Sequence, residues 1–110
     1  MESHKRKRVE AVGWRLGTAR DFLGLSTDEA ALVETRLAIS AGLRDSRRRA
    51  GLTQSDLAKK LKSSQSRVAK MEAASPSVSL DLLLRAYFAT GATRRDLARI
   101  LGTRRRRVAA

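Results

Sequence analysis

Residues 53–72 read TQSDLAKKLKSSQSRVAKME. Thr53 and Ser64 are residue types whose side-chain oxygen accepts from the free N–H groups at the start of a helix. Asp56, three residues after Thr53, completes a capping box. Behind the first cap, Leu57, Ala58 and Leu61 recur at helical spacing; behind the second, Val68 and Met71 form an i, i+3 pair. If those apolar residues face a core, Gln65, Ser66, Arg67 and Lys70 project from the opposite side of the second helix. The stretch predicts two short helices joined by a tight polar turn.

Working outward, the same punctuation repeats. Upstream, Ser26 with Glu29 forms another capping box, and Asp28 adds an acid to the first turn. The helix opened there carries Leu32, Ile39 and Leu43 on one stripe, widened by Val33 and Leu37. Arg47, Arg48 and Arg49 followed by Gly51 are its stop signals. At 1.5 Å per residue it is roughly 35 Å long, more than a small domain needs. Its stripe calls for a cover, either the N-terminal segment with Val12, Trp14, Leu16, Phe22 and Leu23 or a partner. Downstream, Ser79 opens an apolar helix that ends at Gly91, and Thr93 with Asp96 opens another that carries Leu97, Ile100 and Leu101. Gly102 is expected to stop that last helix. Near the N-terminus, residues 5–16 predict a helix weakened by Gly13, and Thr18 with Asp21 predicts a short capped turn closed by Gly24.

Composition agrees with helix throughout. The 110 residues amount to one domain, 42% hydrophobic but only 4% aromatic, so the core is built from Leu, Val, Ile and Ala. Period-2 alternation is scarce, and the fold class predicted is all-α. Lys and Arg number 24 against 11 Asp and Glu, a net charge of +13. Residues 1–50 carry 11 positive and 7 negative groups (+4), and residues 51–110 carry 13 and 4 (+9). Such a field suits a polyanion, although hydrated basic faces on a soluble protein account for charge alone.

Several function classes find no footing. There is no cysteine, hence no disulfide framework and no thiolate chemistry. His4 is the only histidine, and no cluster of His, Cys, Asp or Glu suits a metal. Neither an enzyme nor a cofactor is expected. No apolar run of signal-peptide length follows the basic start, and Arg85 cuts the longest apolar stretch, so a cytoplasmic protein with no membrane partner is expected.

Helix, tight polar turn and capped second helix is the layout of a helix-turn-helix, whose second helix lies in the major groove of double-stranded DNA. Gln65 can pair in a bidentate way with adenine, and Lys70, one turn on, can reach guanine or phosphate. The helix N-termini at Thr53 and Ser64 offer N–H groups to phosphates. GLTQSDLAKKL (51–61) followed by SSQSRVAKMEA (63–73) resembles the Xre/Cro-type, phage-repressor-like helix-turn-helix family. PSVSLDLLLRAYFATGAT (76–93) is similar to the fourth helix and the entry to the fifth of that five-helix fold, so the resemblance spans residues 36–101.

The resemblance implies that Gln54 touches phosphate and supports the reading helix, that Gln65, Ser66 and Lys70 face bases, and that Arg67 faces the backbone or a base edge. Arg48 and Arg49 either lie near the duplex backbone or complement the dipole of their own helix; Lys62 is a further candidate for the backbone. Lys62 also stands where the family usually has glycine in a left-handed turn, which costs about 1 kcal/mol and leads us to expect a slightly altered turn. A homodimer on a pseudo-palindromic operator is implied, joined through Leu97, Ile100 and Leu101 or through the extended helix. The stretch GTARDFLGLS (17–26), preceded by Gly13–Trp14, looks like family members that act as antitoxins beside small toxins.

The organisation expected is a basic N-terminal extension over 1–25, a helix-turn-helix domain over 26–102 with its core at 53–74, and a basic disordered tail over 103–110. The function expected is a DNA-binding regulator, an autoregulatory repressor. Its rival is a protein-binding module that neutralises a toxin through the N-terminal segment.

Overall fold

The computed structural model describes the backbone of residues 24–109 and the side chains of residues 24–102. The expected helix over 5–16, the capped turn at Thr18 and the basic extension lie outside those residues. Five helices follow one another: α1 (Thr27–Arg49), α2 (Gln54–Leu61), α3 (Gln65–Glu72), α4 (Leu80–Ala89) and α5 (Arg94–Ala109). Among the described residues there is no strand, so the fold is all-α as expected.

Each helix begins where the sequence placed a cap. Ser26 and Thr53 close full capping boxes with Glu29 and Asp56, and Ser64 and Ser79 accept from the backbone N–H groups of Arg67 and Leu82. Thr93 and Asp96 exchange the same pair of bonds, at 2.8 and 3.1 Å, before α5. The ends of α1, α2 and α3 share one device. Gly51, Lys62 and Ala74 all take positive φ (75°, 55° and 57°), and the N–H of the next residue returns to a carbonyl five residues back: Leu52 to Arg47, Ser63 to Ala58, Ser75 to Lys70. Lys62 thus adopts the left-handed conformation the turn needs, so the lack of glycine alters the energy of the turn rather than its path.

The core is one cluster. Ile39 and Leu43 of α1, Leu57 and Ala58 of α2, Val68 and Met71 of α3, and Leu83, Ala86 and Tyr87 of α4 are buried together, with Val78 from the α3–α4 loop. Leu97, Ile100 and Leu101 of α5 pack against it while staying half-buried. α1 is the spine: α3, α4 and α5 all pack on it, and α2 closes the other side against α3 and α4. Gly42 lets α5 come close, since a Cβ there would stand 2.6 Å from Ile100 Cδ1. At the far end of α1, the Thr90 hydroxyl donates to the Tyr87 carbonyl and so accepts from Ser46 at 2.6 Å.

Leu32 shares the helical stripe of Ile39 and Leu43 and is 49% exposed, and the N-terminal segment expected as one possible cover lies outside the described residues. One expectation is corrected. Gly102 does not stop α5, which continues to Ala109 where a disordered tail was expected. One interior glycine costs about 1 kcal/mol, and the arginines and alanine that follow are good helix formers.

Candidate nucleic-acid interface

The geometry of α3 follows from its eight residues, QSRVAKME. Val68 and Met71 are fully buried, which commits one face of the helix to the core. Ser64, Gln65, Ser66, Arg67 and Lys70 are then all exposed, on the opposite side. No bulky apolar side chain interrupts that face. It is slim, polar and cationic, and beside it the N-cap of α2, Thr53, is exposed and the first residue of α2, Gln54, is half-buried.

The exposed face continues into a cleft of about 260 Å³ lined by Ser64, Ser66, Arg67, Lys70, Ser77 and Val78. Ser77 comes from the α3–α4 loop, which the left-handed Ala74 turns back towards α3. The loop is held by the Ser75 hydroxyl, which shares a hydrogen bond of 2.8 Å with that of Ser77, and by Arg36 of α1, whose guanidinium donates to the Val78 carbonyl. Three hydroxyls and two cations around one opening can hold an anion such as a phosphate group.

Behind this face lies a polar line. Arg47 of α1 and Glu72 at the end of α3 form an ion pair with side chains only 10% and 5% exposed. The pair is two-pronged: Nε donates to Oε2, and Nη2 to Oε1 at 3.1 Å, while Nη1 donates to the Leu52 carbonyl at 2.8 Å. Glu72 Oε1 also accepts from Gln54 Nε2 at 3.1 Å, and Gln54 Oε1 accepts from Gln65 Nε2 at 2.6 Å. Burial opposes the charged form of Glu72, but the hydrogen bonds from Arg47 and Gln54 and the nearby charges of Arg47 and Arg44 outweigh it. The carboxyl therefore titrates below the ordinary glutamate value.

The four arginines near the end of α1 separate. Arg47 turns inward to Glu72, and the charge of exposed Arg44 also acts on Glu72, on the α3 side of the molecule. Arg48, one turn after Arg44, is exposed on that same flank. Arg49 stands elsewhere: with Arg99 it opposes the rise that burial and Asp96 impose on the Tyr87 hydroxyl, which places it towards α4 and α5. Lys62, exposed in the α2–α3 turn, adds a cation at the start of the face.

Sequence reading missed the Arg47–Glu72 pair and Ser77. The pair left a trace. Arg47 continues the inward row of Ile39 and Leu43 at steps of four, a core position that a charge occupies only with a partner. Among the acids after residue 50, Asp56, Asp81 and Asp96 all stand in first turns, which leaves Glu72. Ser77 left none, since its approach to α3 depends on the loop closing through Ala74.

Among the described residues, no group of three or more His, Cys, Asp or Glu could hold a metal ion, and no helix is long and apolar enough to cross a membrane. The family model described as a helix-turn-helix domain matches residues 38–100, more than half of the chain. Comparison with the curated proteins returns no match, and neither does comparison with the solved structures.

Proposed function

The chain belongs to the helix-turn-helix domain family, and from that premise we propose that it is a sequence-specific DNA-binding regulator, a repressor of its own operon that reads the major groove with α3. The observation that carries this is the division of α3: Val68 and Met71 fully buried, Gln65, Ser66, Arg67 and Lys70 exposed on the other side. In the proposed complex Gln65, Ser66 and Lys70 meet base edges. Arg67 and the N-termini at Thr53 and Ser64 meet phosphates, helped by Gln54, Arg48 and Lys62. Arg49, on the α4–α5 side, complements the end of its own helix instead. The working form is a homodimer inside the cell, on an inverted repeat with half-sites about one helical turn apart.

Selection of bound sites from a random duplex pool at moderate salt tests this. The wild type is expected to enrich an inverted repeat, and a Gln65→Ala, Lys70→Ala double variant is expected to lose it. Enrichment of nothing by either protein sinks the proposal.

A second reading, a module that also neutralises a toxin partner, is favoured by one feature. Residues 27–37 of α1 precede the matched span and carry Leu32, 49% exposed. Deleting residues 1–25 would then abolish association with the product of a neighbouring gene while DNA binding persists. Loss of both, or of neither, counts against it.

A further inference from the structure

Much of the positive charge lies away from α3. Residues 53–73, which build the reading unit, carry five cations against two acids (+3), whereas α5 carries seven arginines against one acid (+6). α1 meets Ile100 of α5 at Gly42 and Glu72 of α3 at Arg47. Those positions are five residues apart, which on a helix of 3.6 residues per turn sets them about 140° apart around its axis. A straight duplex seated on α3 therefore leaves α5 on another side of the domain.

The described part of α5 is divided as α3 is. Leu97, Ile100 and Leu101 pack against the core, and Arg94, Arg95, Ala98 and Arg99 are exposed. Gly102 also borders open space, since a Cβ there would meet nothing within 4 Å. The helical backbone then runs on through Arg104, Arg105, Arg106 and Arg107. Helix stability does not account for the first of these charges. Arg94 and Arg95 stand in the first turn, where the dipole favours acids and opposes cations. Asp96, the one acid of the helix, is already engaged. Its Oδ2 accepts from the Thr93 N–H and hydroxyl at 2.8 and 3.0 Å, and its Oδ1 from Arg99 Nη2 at 2.9 Å.

We propose that the outer face of α5 is a second surface for double-stranded DNA, so that one chain holds two duplexes: its site on α3 and a further segment, of any sequence, on α5. This adds to the reading of α3 and stands on the charge of α5 alone. The chemistry selects the partner. Arginine presents a planar fork that matches phosphate oxygens, and α5 contains no lysine. It contains no aromatic residue either, and so lacks the platform on which the bases of a single strand stack. Its exposed side chains, among the described residues, include no large apolar anchor of the kind that centres a protein interface.

The test is capture of a labelled duplex of unrelated sequence by the full chain, held on beads through a duplex carrying its selected site. With Arg94, Arg95 and Arg99 each on a phosphate, capture should weaken about fortyfold between 50 and 200 mM salt. An Arg94→Glu, Arg95→Glu variant puts acids where the dipole favours them. It should unfold at no lower temperature than the wild type, enrich the same site and lose capture. Arg94→Gln with Arg95→Gln removes the charges without reversing them and should make the salt slope of capture shallower by about two. No capture by the wild type overturns the inference, and retention on polyglutamate beads would then point to an acidic protein instead. Capture unchanged in the α5 variants also overturns it, and assigns bridging to the two reading helices of a dimer. Equal loss of site affinity and capture does the same, since α5 would then lie on the duplex that α3 reads. If the wild type enriches no site, the reading of α3 fails by itself, and capture from beads carrying random duplex still decides the proposal for α5.

Discussion

Lys62 holds φ 55° and ψ 47°, a left-handed conformation in which the Cβ of an L-residue crowds the following carbonyl. The turn tolerates it because Ser63 N–H returns to the Ala58 carbonyl at 2.8 Å, closing α2 and aiming α3. Lys62→Gly is accordingly expected to raise stability by about 1 kcal/mol, less what glycine adds to the freedom of the unfolded chain. The urea midpoint checks this, and a fall would mean that the lysine stem packs usefully in the turn. Glu72 supports a second prediction. Its folded pKa lies below the ordinary value of 4.5, so the stability contributed by its ionised form is complete above the unfolded value and is lost as pH falls through the folded one. Denaturation midpoints should be level from pH 8 to about 5 and decline below about 4.5. The capping carboxylates Asp28, Asp56 and Asp96, also held low, add to that decline. In Glu72→Gln the acid limb should be shallower; an unchanged limb would assign all of it to the caps.

At the scale of the element, α3 is too short to stand alone. Eight residues make about two turns, well under the length at which an isolated helix holds in water. Val68 and Met71, both fully buried, supply the packing that α3 cannot supply for itself. α1 is the opposite case, 23 residues whose buried positions fall mostly in the second half. Its contact with α5 turns on Gly42, where an added Cβ meets Ile100 Cδ1 at 2.6 Å and Tyr87 Cε1 at 3.4 Å. Gly42→Ala asks only that the tip of Ile100 rotate, and the better helix propensity of alanine offsets that; a change within about 1 kcal/mol is expected. Gly42→Leu has no such escape and should cost about 1–3 kcal/mol by pushing α5 off α1. Thermal unfolding of the two variants separates these outcomes, and equal midpoints would show that α5 yields without penalty.

For the whole molecule the governing quantity is charge. A net +13 on 110 residues places the proposed complex under strong counterion control. With about six phosphates neutralised, affinity should fall by about three decades between 50 and 200 mM salt. Lys62→Gly and Arg48→Ala should each make that slope shallower by about one, whereas Arg49→Ala should leave it unchanged. A titration of binding against salt for the three variants decides it, and an equal effect from Arg49 would place that residue on the DNA side after all.

The five helices of the described residues, their caps and the division of α3 were legible in the chain itself, because capping and amphipathicity act over three or four residues and leave their marks at those spacings. Thr53, Ser64, Val68 and Met71 all stand where that local pattern put them. Gly102 was misread, because one poor helix former does not end a helix whose neighbours favour it. The Arg47–Glu72 pair, the hydrogen-bonded line to Gln65 and the approach of Ser77 to α3 join residues 25, 18, 11 and 13 apart: 47 with 72, 54 with 72, 54 with 65, 64 with 77. Contacts at those separations have no period to betray them. Tertiary packing alone decides them, since a buried charge settles on whichever partner the folded core brings within reach.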